Sequence, residues 1–323
     1  MTTTLARTLE DLELHPVRIP MRHRFRRVEH RDAVLIRGPE GWGEFSPFPE
    51  YLPAVARRWL AAALESASVA YPRPRRGRVA VNVTIPAVDA ATARRLTLES
   101  GCHTAKVKVA EPGQTEEEDL ARLEAVRDAL GPEGGIRVDA NAAWDVPTAI
   151  ARIRGMSRFG LEYVEQPVAT IDEMKAVREA VELPIAADEL VRTLPDPAVV
   201  AEAGAADVIV VKVQPLGGVG ATLELASRIG LPVVVSSALE TSVGMAAGAA
   251  AAAALPHLPY ACGLGTVALL GGDVVTDPLE PRQGWVDVRR PAPDPELLER
   301  YHPGKAVGDR MLDRAREAAK LLT

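Results

Sequence analysis

From Val79 to Gly263 the chain repeats one pattern: a short run of apolar, largely β-branched residues, then a longer stretch whose apolar positions recur every three or four residues. Runs of the first kind are Val79 to Ile85, Thr104 to Val109, Ile136 to Asp139, Tyr163 to Glu165, Ile185 to Asp188, Val208 to Val213, Val233 to Ser236 and Tyr260 to Gly263. They are too continuous for half-buried strands and predict strands covered on both faces. Between them, Glu116 to Leu130, Pro147 to Phe159, Ile171 to Val181, Pro197 to Ala203, Val219 to Ile229 and Val243 to Leu255 carry a helical period. The first of these has Thr115 placed to cap it, glutamates in its first turn and Gly131 just past its end. Strand and helix alternating this often predict a parallel sheet, closed by its repeats into a (β/α)8, TIM-like barrel.

The opening third reads differently. Leu12 to Ile19 and Ala33 to Ile36 predict strands, Gly41 to Glu44 a tight turn into another, and Val55 to Val69 an alanine-rich helix, together a small α+β unit. Tyr71 to Gly77 breaks any period and marks a boundary. The expected division is residues 1–77, a barrel over 78–290, and a tail, 291–323, whose amphipathic helix Asp309 to Leu322 packs back on the first unit.

Composition narrows the class. A chain of 323 residues with a net charge of −6 has room for one large core and a smaller unit, and its charge argues against general nucleic-acid affinity. Its two cysteines, Cys102 and Cys262, lie far apart without metal-type spacing and read as buried thiols of a reducing, cytoplasmic protein. No basic start leads into an apolar leader, and the longest apolar run, Ala246 to Leu255, is too short to span a bilayer. Nothing in the sequence sets the oligomeric state, which leaves room for a homo-oligomer.

Ionisable residues then appear where they are costly. Lys106 and Lys108, Asp139 with Asn141, Glu165, Asp188 with Glu189, and Lys212 each end a predicted strand, at intervals of roughly 23 to 31 residues that suit barrel repeats. A charge in a strand buried on both faces must be paired, bind a metal or open onto a site. Five successive strands therefore carry charge at one rim. Residues two apart share a face, so Lys106 and Lys108 both enter the barrel while Ala105, Val107 and Val109 face outward. Asp139, Glu165 and Asp188 offer three carboxylates and no softer ligand, a set suited to Mg²⁺ and also to Mn²⁺. Like charges disfavour protonation, which moves flanking lysines toward general-base duty. Glu189 becomes a second partner for Lys212 if its strand end twists. The glycines Gly217, Gly218 and Gly220 offer an anion site or merely a loop turn.

The order Lys-x-Lys, Asp-x-Asn, Glu-Gln-Pro, Asp-Glu and Lys resembles the enolase superfamily, in its muconate-lactonising-enzyme-like branch, over nearly the whole chain. That resemblance implies a modified barrel capped by the small α+β domain, Mg²⁺ on Asp139, Glu165 and Asp188, and acid/base lysines at Lys108 and Lys212. Lys106 would hold a small carboxylate substrate and depress the pKa of Lys108. The implied chemistry is removal of a proton α to a carboxylate. Ser236-Ser237-Ala-Leu-Glu240-Thr241-Ser-Val-Gly244 resembles the o-succinylbenzoate synthase family, dehydratases of menaquinone synthesis. Dipeptide epimerases of the branch carry Asp-x-Asp where this chain has Cys262-Gly263-Leu-Gly265. The resemblance thus implies dehydration, with N-acylamino acid or dipeptide racemisation as the alternative and a metal-binding regulatory relative as the non-enzyme reading. Asn141, Ser236, Ser237 and Gly263 are the expected substrate contacts, with Arg24 on a basic loop, Met21 to Arg27, that draws in an acidic substrate while Phe25 excludes water.

Overall fold

The structure is a computed structural model that describes residues 9, 11–25 and 28–322, the side chains of 23–25 excepted. Three strands, β1 (Glu13–Phe25), β2 (Val28–Gly38) and β3 (Gly41–Phe45), form an antiparallel sheet backed by helix α1 (Pro53–Ser68). The hairpin is longer than its apolar alternation predicted, because pairing continues through Arg18↔Asp32 and Ile19↔Arg31 into polar sequence. Sheet and helix approach closely at Gly43, where a Cβ would stand 1.9 Å from the Ala63 carbonyl oxygen.

Short β4 (Arg78–Ala80) precedes β5 (Val83–Ile85). Six α/β steps follow: α2 (Ala90–Ser100), β6 (Thr104–Lys108), α3 (Glu116–Leu130), β7 (Gly135–Asp139), α4 (Val146–Met156), β8 (Leu161–Glu165), α5 (Ile171–Ala180), β9 (Ile185–Ala187), α6 (Glu189–Thr193), α7 (Ala198–Glu202), β10 (Val208–Lys212), α8 (Val213–Leu216), α9 (Val219–Ile229), β11 (Val233–Ser236) and α10 (Ser242–Ala254). Strands β5 to β11 form one parallel sheet in sequence order. Its edges meet through single-residue bridges, Val81↔Cys262 and Ser236↔Gly263. Two strand expectations are corrected here. Val79 to Ile85 is not one strand: Arg78–Ala80 turns away to pair antiparallel with β12 (Trp285–Asp287), and only Val83–Ile85 joins the parallel sheet. Tyr260 to Gly263 is reduced to those two bridges.

The main core lies between sheet and helices, with Ala105, Val107, Val138, Val164, Ile209 and Val235 facing outward as the period-two reading requires. Helix starts are fixed as the sequence signals: Thr115 and Glu118 complete a capping box on α3 and Thr170 with Glu173 another on α5. Helices α11 (Pro295–Arg300) and α12 (Lys305–Ala319) end the described chain. Ala315, Ala318 and Ala319 of α12 bury against Val34, Phe45 and Leu60, so the tail helix packs on the first sheet and α1.

Two carboxylates tie the α+β unit to the helices flanking the parallel sheet. Glu44 accepts from the amides of Thr241 (3.1 Å) and Gly244 (3.0 Å) at the start of α10. Glu65 accepts from Val219 (2.6 Å) and Gly220 (2.9 Å) at the start of α9. Both accept from amides at helix starts, which have no carbonyl partner within the helix. The glycine-rich anion site read from Gly217 to Gly220 is thus filled by the chain's own Glu65.

Candidate active site

Register brings the predicted residues together. Lys108 pairs with Asp139 and Asp139 with Glu165 across β6, β7 and β8, while Glu165 lies opposite Ala186 on β9, two residues before Asp188. Lys212 ends β10 opposite Ser236. All six ionisable groups are buried: Asp139, Glu165 and Asp188 are no more than 2% exposed, and Lys106, Lys108 and Lys212 between 6% and 8%.

Ammonium groups occupy the space between the carboxylates. Lys106 Nζ donates to Glu165 at 2.8 and 3.0 Å and lies 3.3 Å from Asp139 Oδ2. Lys108 Nζ donates to Asp139 and, at 2.8 Å, to Asn141 Oδ1. Lys212 Nζ donates to Asp188. Three cations thus balance three anions, which is how charge survives at this depth. Balance is uneven, however. Burial works to raise the Asp139 carboxyl, yet Lys108 and Lys106 together hold it well below the usual carboxylate range. Glu165 has burial and the neighbouring Asp139 charge against it, with Lys106 the strongest influence the other way, and is pushed up to about 7. For Lys106, burial acts downward but Glu165, Asp139 and Asp188 outweigh it and raise the ammonium.

Among the described residues no three histidine, cysteine or carboxylate side chains converge on one point in this conformation, because lysines stand between the acids. The donor set itself fits a hard divalent cation. That set is three buried carboxylates on consecutive strand ends.

The remaining expectations divide. Ser236 and Ser237 line the cavity, and Ser237 Oγ lies 2.5 Å from Thr266 Oγ1. Gly263 sits behind that wall rather than in it: Ser237 N donates to its carbonyl at 3.0 Å, and a Cβ there would stand 2.4 Å from Ser236 Oγ. Asn141, at φ +47°, connects Lys108 to Glu189 through its amide (3.1 Å). Glu189 opens helix α6 and takes Arg192 at 2.5 Å, a partner that sequence reading missed. Arg192 also lies 3.8 Å from Asp188, and the spacings of three and four residues were its signal. The side chains of Arg24 and Phe25, and Arg26 and Arg27 altogether, lie outside the described residues. Sequence reading also missed Phe48, Thr84 and Thr266 as lining residues. The cavity is small, about 30 Å³.

A parallel α/β sheet ending in buried lysines and carboxylates, with an α+β unit at one side, defines an enolase-type fold. The model described as Enolase C-terminal domain-like matches residues 88–293, and Enolase N-terminal domain-like matches 17–67. Among solved structures, muconate lactonizing enzyme from Pseudomonas fluorescens, complexed with muconolactone, superposes at a TM-score of 0.78 with 22% identity, covering 90% of this chain and 98% of that one. A dipeptide epimerase from Enterococcus faecalis, complexed with Mg and L-Leu-L-Tyr, gives 0.73 and 22%, covering 87% and 97%. At that identity both speak for the fold alone. Sequence relatives go further: o-succinylbenzoate synthase of Thermobifida fusca is 60% identical over 272 residues, 84% of this chain and 86% of its own. That of Mycobacterium marinum is 51% identical over 295 residues, 90% and 89%. The chain belongs to the o-succinylbenzoate synthase family of the enolase superfamily.

Proposed function

We propose that this enzyme, a carbon–oxygen lyase, removes water from 2-succinyl-6-hydroxy-2,4-cyclohexadiene-1-carboxylate to give 2-succinylbenzoate, as a step of menaquinone synthesis in the cytoplasm. The observation that carries the reading is 60% identity to a synthase over 84% of the chain, joined to a buried ring of three lysines and three carboxylates. No helix among the described residues is long and apolar enough to cross a membrane.

Each group has a role in the reading. Asp139, Glu165 and Asp188 would hold Mg²⁺, or Mn²⁺ in its place; when bound, the ion neutralises charge developing on the substrate carboxylate. Lys106 orients that carboxylate. Lys108, freed of its proton, takes the proton α to the carboxylate, and the same ammonium then protonates the departing hydroxyl on the same face. Water leaves and the ring becomes aromatic. Lys212, across the cavity, stabilises the dianion by its charge. Asn141 orients Lys108, and Ser236, Ser237 and Thr266 supply polar contacts to the substrate. Residues 1–77 with the tail, 291–323, form a cap over a barrel of 78–290, and Arg24 on the cap would attract the acid.

The test is turnover of the cyclohexadiene acid, followed as loss of its diene absorbance. Faster kcat/KM with a dipeptide or an N-succinylamino acid would overturn the assignment while leaving the fold and site intact.

A further inference from the structure

Arg31 has no place in the chemistry above, yet it is 2% exposed and stands behind the cavity wall. It projects from β2 of the first sheet and reaches both sides of the junction with the barrel. Its Nε donates to the Leu239 carbonyl at 3.0 Å, and Nη2 donates to Ala238 at 3.1 Å and to Ser46. Its guanidinium also lies 4.4 Å from the centre of the Phe48 ring. Phe48, Ala238 and Leu239 all line the cavity. One side chain therefore braces two walls that come from sequence positions about 190 residues apart.

The bracing has a definite object. Leu239 has a φ of +63°, the left-handed region that a leucine enters only when its surroundings fix it. A fork donating to two successive carbonyls sets the orientation of that peptide, and thereby the direction in which the Leu239 side chain projects. Glu240 secures the same turn from the other side by accepting from the Ala238 amide at 2.6 Å. On the opposite wall the guanidinium face holds the Phe48 ring by a cation–π contact. A lysine would keep the charge and lose both the fork and the flat face.

We propose that Arg31 is a positioning residue that sets the width and shape of the apolar wall against which the substrate ring and side chain lie, and so governs substrate selection without touching substrate. The inference rests on the dehydration reading above. It is tested by steady-state kinetics on Arg31→Lys, Arg31→Met, Phe48→Leu and the Arg31→Met/Phe48→Leu double variant, each checked for folding by thermal melting. The expected result for both Arg31 variants is a tenfold or greater rise in KM for the cyclohexadiene acid, with kcat within about threefold of wild type. The double variant should show a KM no more than twice that of the worse single one, because both changes release the same wall. A KM within twofold of wild type in folded Arg31→Lys, a drop in melting temperature with kinetics unchanged, or KM effects that simply multiply would each overturn it. Should Arg31→Met not fold, Arg31→Lys combined with Phe48→Leu closes the same cycle. A wild type inactive on the acid would instead sink the dehydration reading, so the two failures are told apart.

Discussion

Replacing Lys108 by alanine separates its chemistry from its structural charge. The side chain donates to Asp139 and Asn141, and orphaning a buried charge ordinarily costs about 3–5 kcal/mol. Asp139 is not orphaned here, since Lys106 remains 3.3 Å from the same oxygen and can swing toward it. A stability loss of about 1–3 kcal/mol is expected, enough to lower the melting temperature and too little to unfold the enzyme. Turnover should fall far more. Loss of a general base removes about 10²–10⁴ in rate, and the missing acid in the second half of the reaction adds to it, so a fall of at least about 10³, or roughly 4 kcal/mol of barrier, is expected. Removing one cation from three also leaves the site with a net negative charge, so calorimetric Mg²⁺ affinity should hold or increase. Exchange of the substrate α proton in D₂O, read by NMR, should cease. A kcat within tenfold of wild type would refute the role. So would a large rate loss accompanied by loss of Mg²⁺ binding, which would mean that Lys108 acts by shaping the metal site.

Other outcomes follow from the same geometry. Lys212→Arg keeps a charge beside Asp188 and should retain measurable dehydration, whereas Lys212→Ala should lose it, and equal activity in the two would contradict a purely electrostatic role. A chelator should abolish turnover and Mg²⁺ or Mn²⁺ restore it, with Asp139→Asn weakening metal binding by calorimetry. Gly263→Ala forces a Cβ to 3.0 Å from Ser236 Cβ and should cost about 1–3 kcal/mol by urea denaturation. Glu44, raised to about 7 by burial and the nearby Glu240 charge, binds its proton more tightly folded than unfolded. Its contribution is therefore largest at low pH and declines as pH rises through 7, so the stability of wild type relative to Glu44→Gln should fall by about 2 kcal/mol between pH 5.5 and 8.

The residues legible in the sequence share one property: each contradicts its surroundings. A lysine or carboxylate ending an apolar run is costly enough to announce itself, and period two then says that Lys106, Lys108 and Asp139 face inward. The same rule applied to Ile136-Arg137-Val138-Asp139 would have exposed Arg137, which lies fully buried against Tyr163, 4.8 Å from its ring. What stayed hidden is what depends on distance in sequence. Phe48, Thr84, Thr266 and Arg31 look ordinary in their own segments and acquire meaning only from what folding sets beside them. Cys262 and Gly263 form bridges rather than a strand because no apolar run of sufficient length flanks them, so the closing element of the sheet carries the weakest local signal.

The tail helix α12 has a consequence for how the enzyme is made. Arg314 on it donates to the carbonyls of Pro47 (3.0 Å), Phe48 (2.5 Å) and Tyr51 (2.8 Å), the segment that supplies the Phe48 wall. Phe48 and Arg314 are 266 residues apart, so the segment waits for its fastener until the intervening chain has been made. The parallel sheet can assemble from neighbouring repeats as they emerge, but until Arg314 is in place the cavity has one wall unsecured. The wall is secured only once the tail helix has docked.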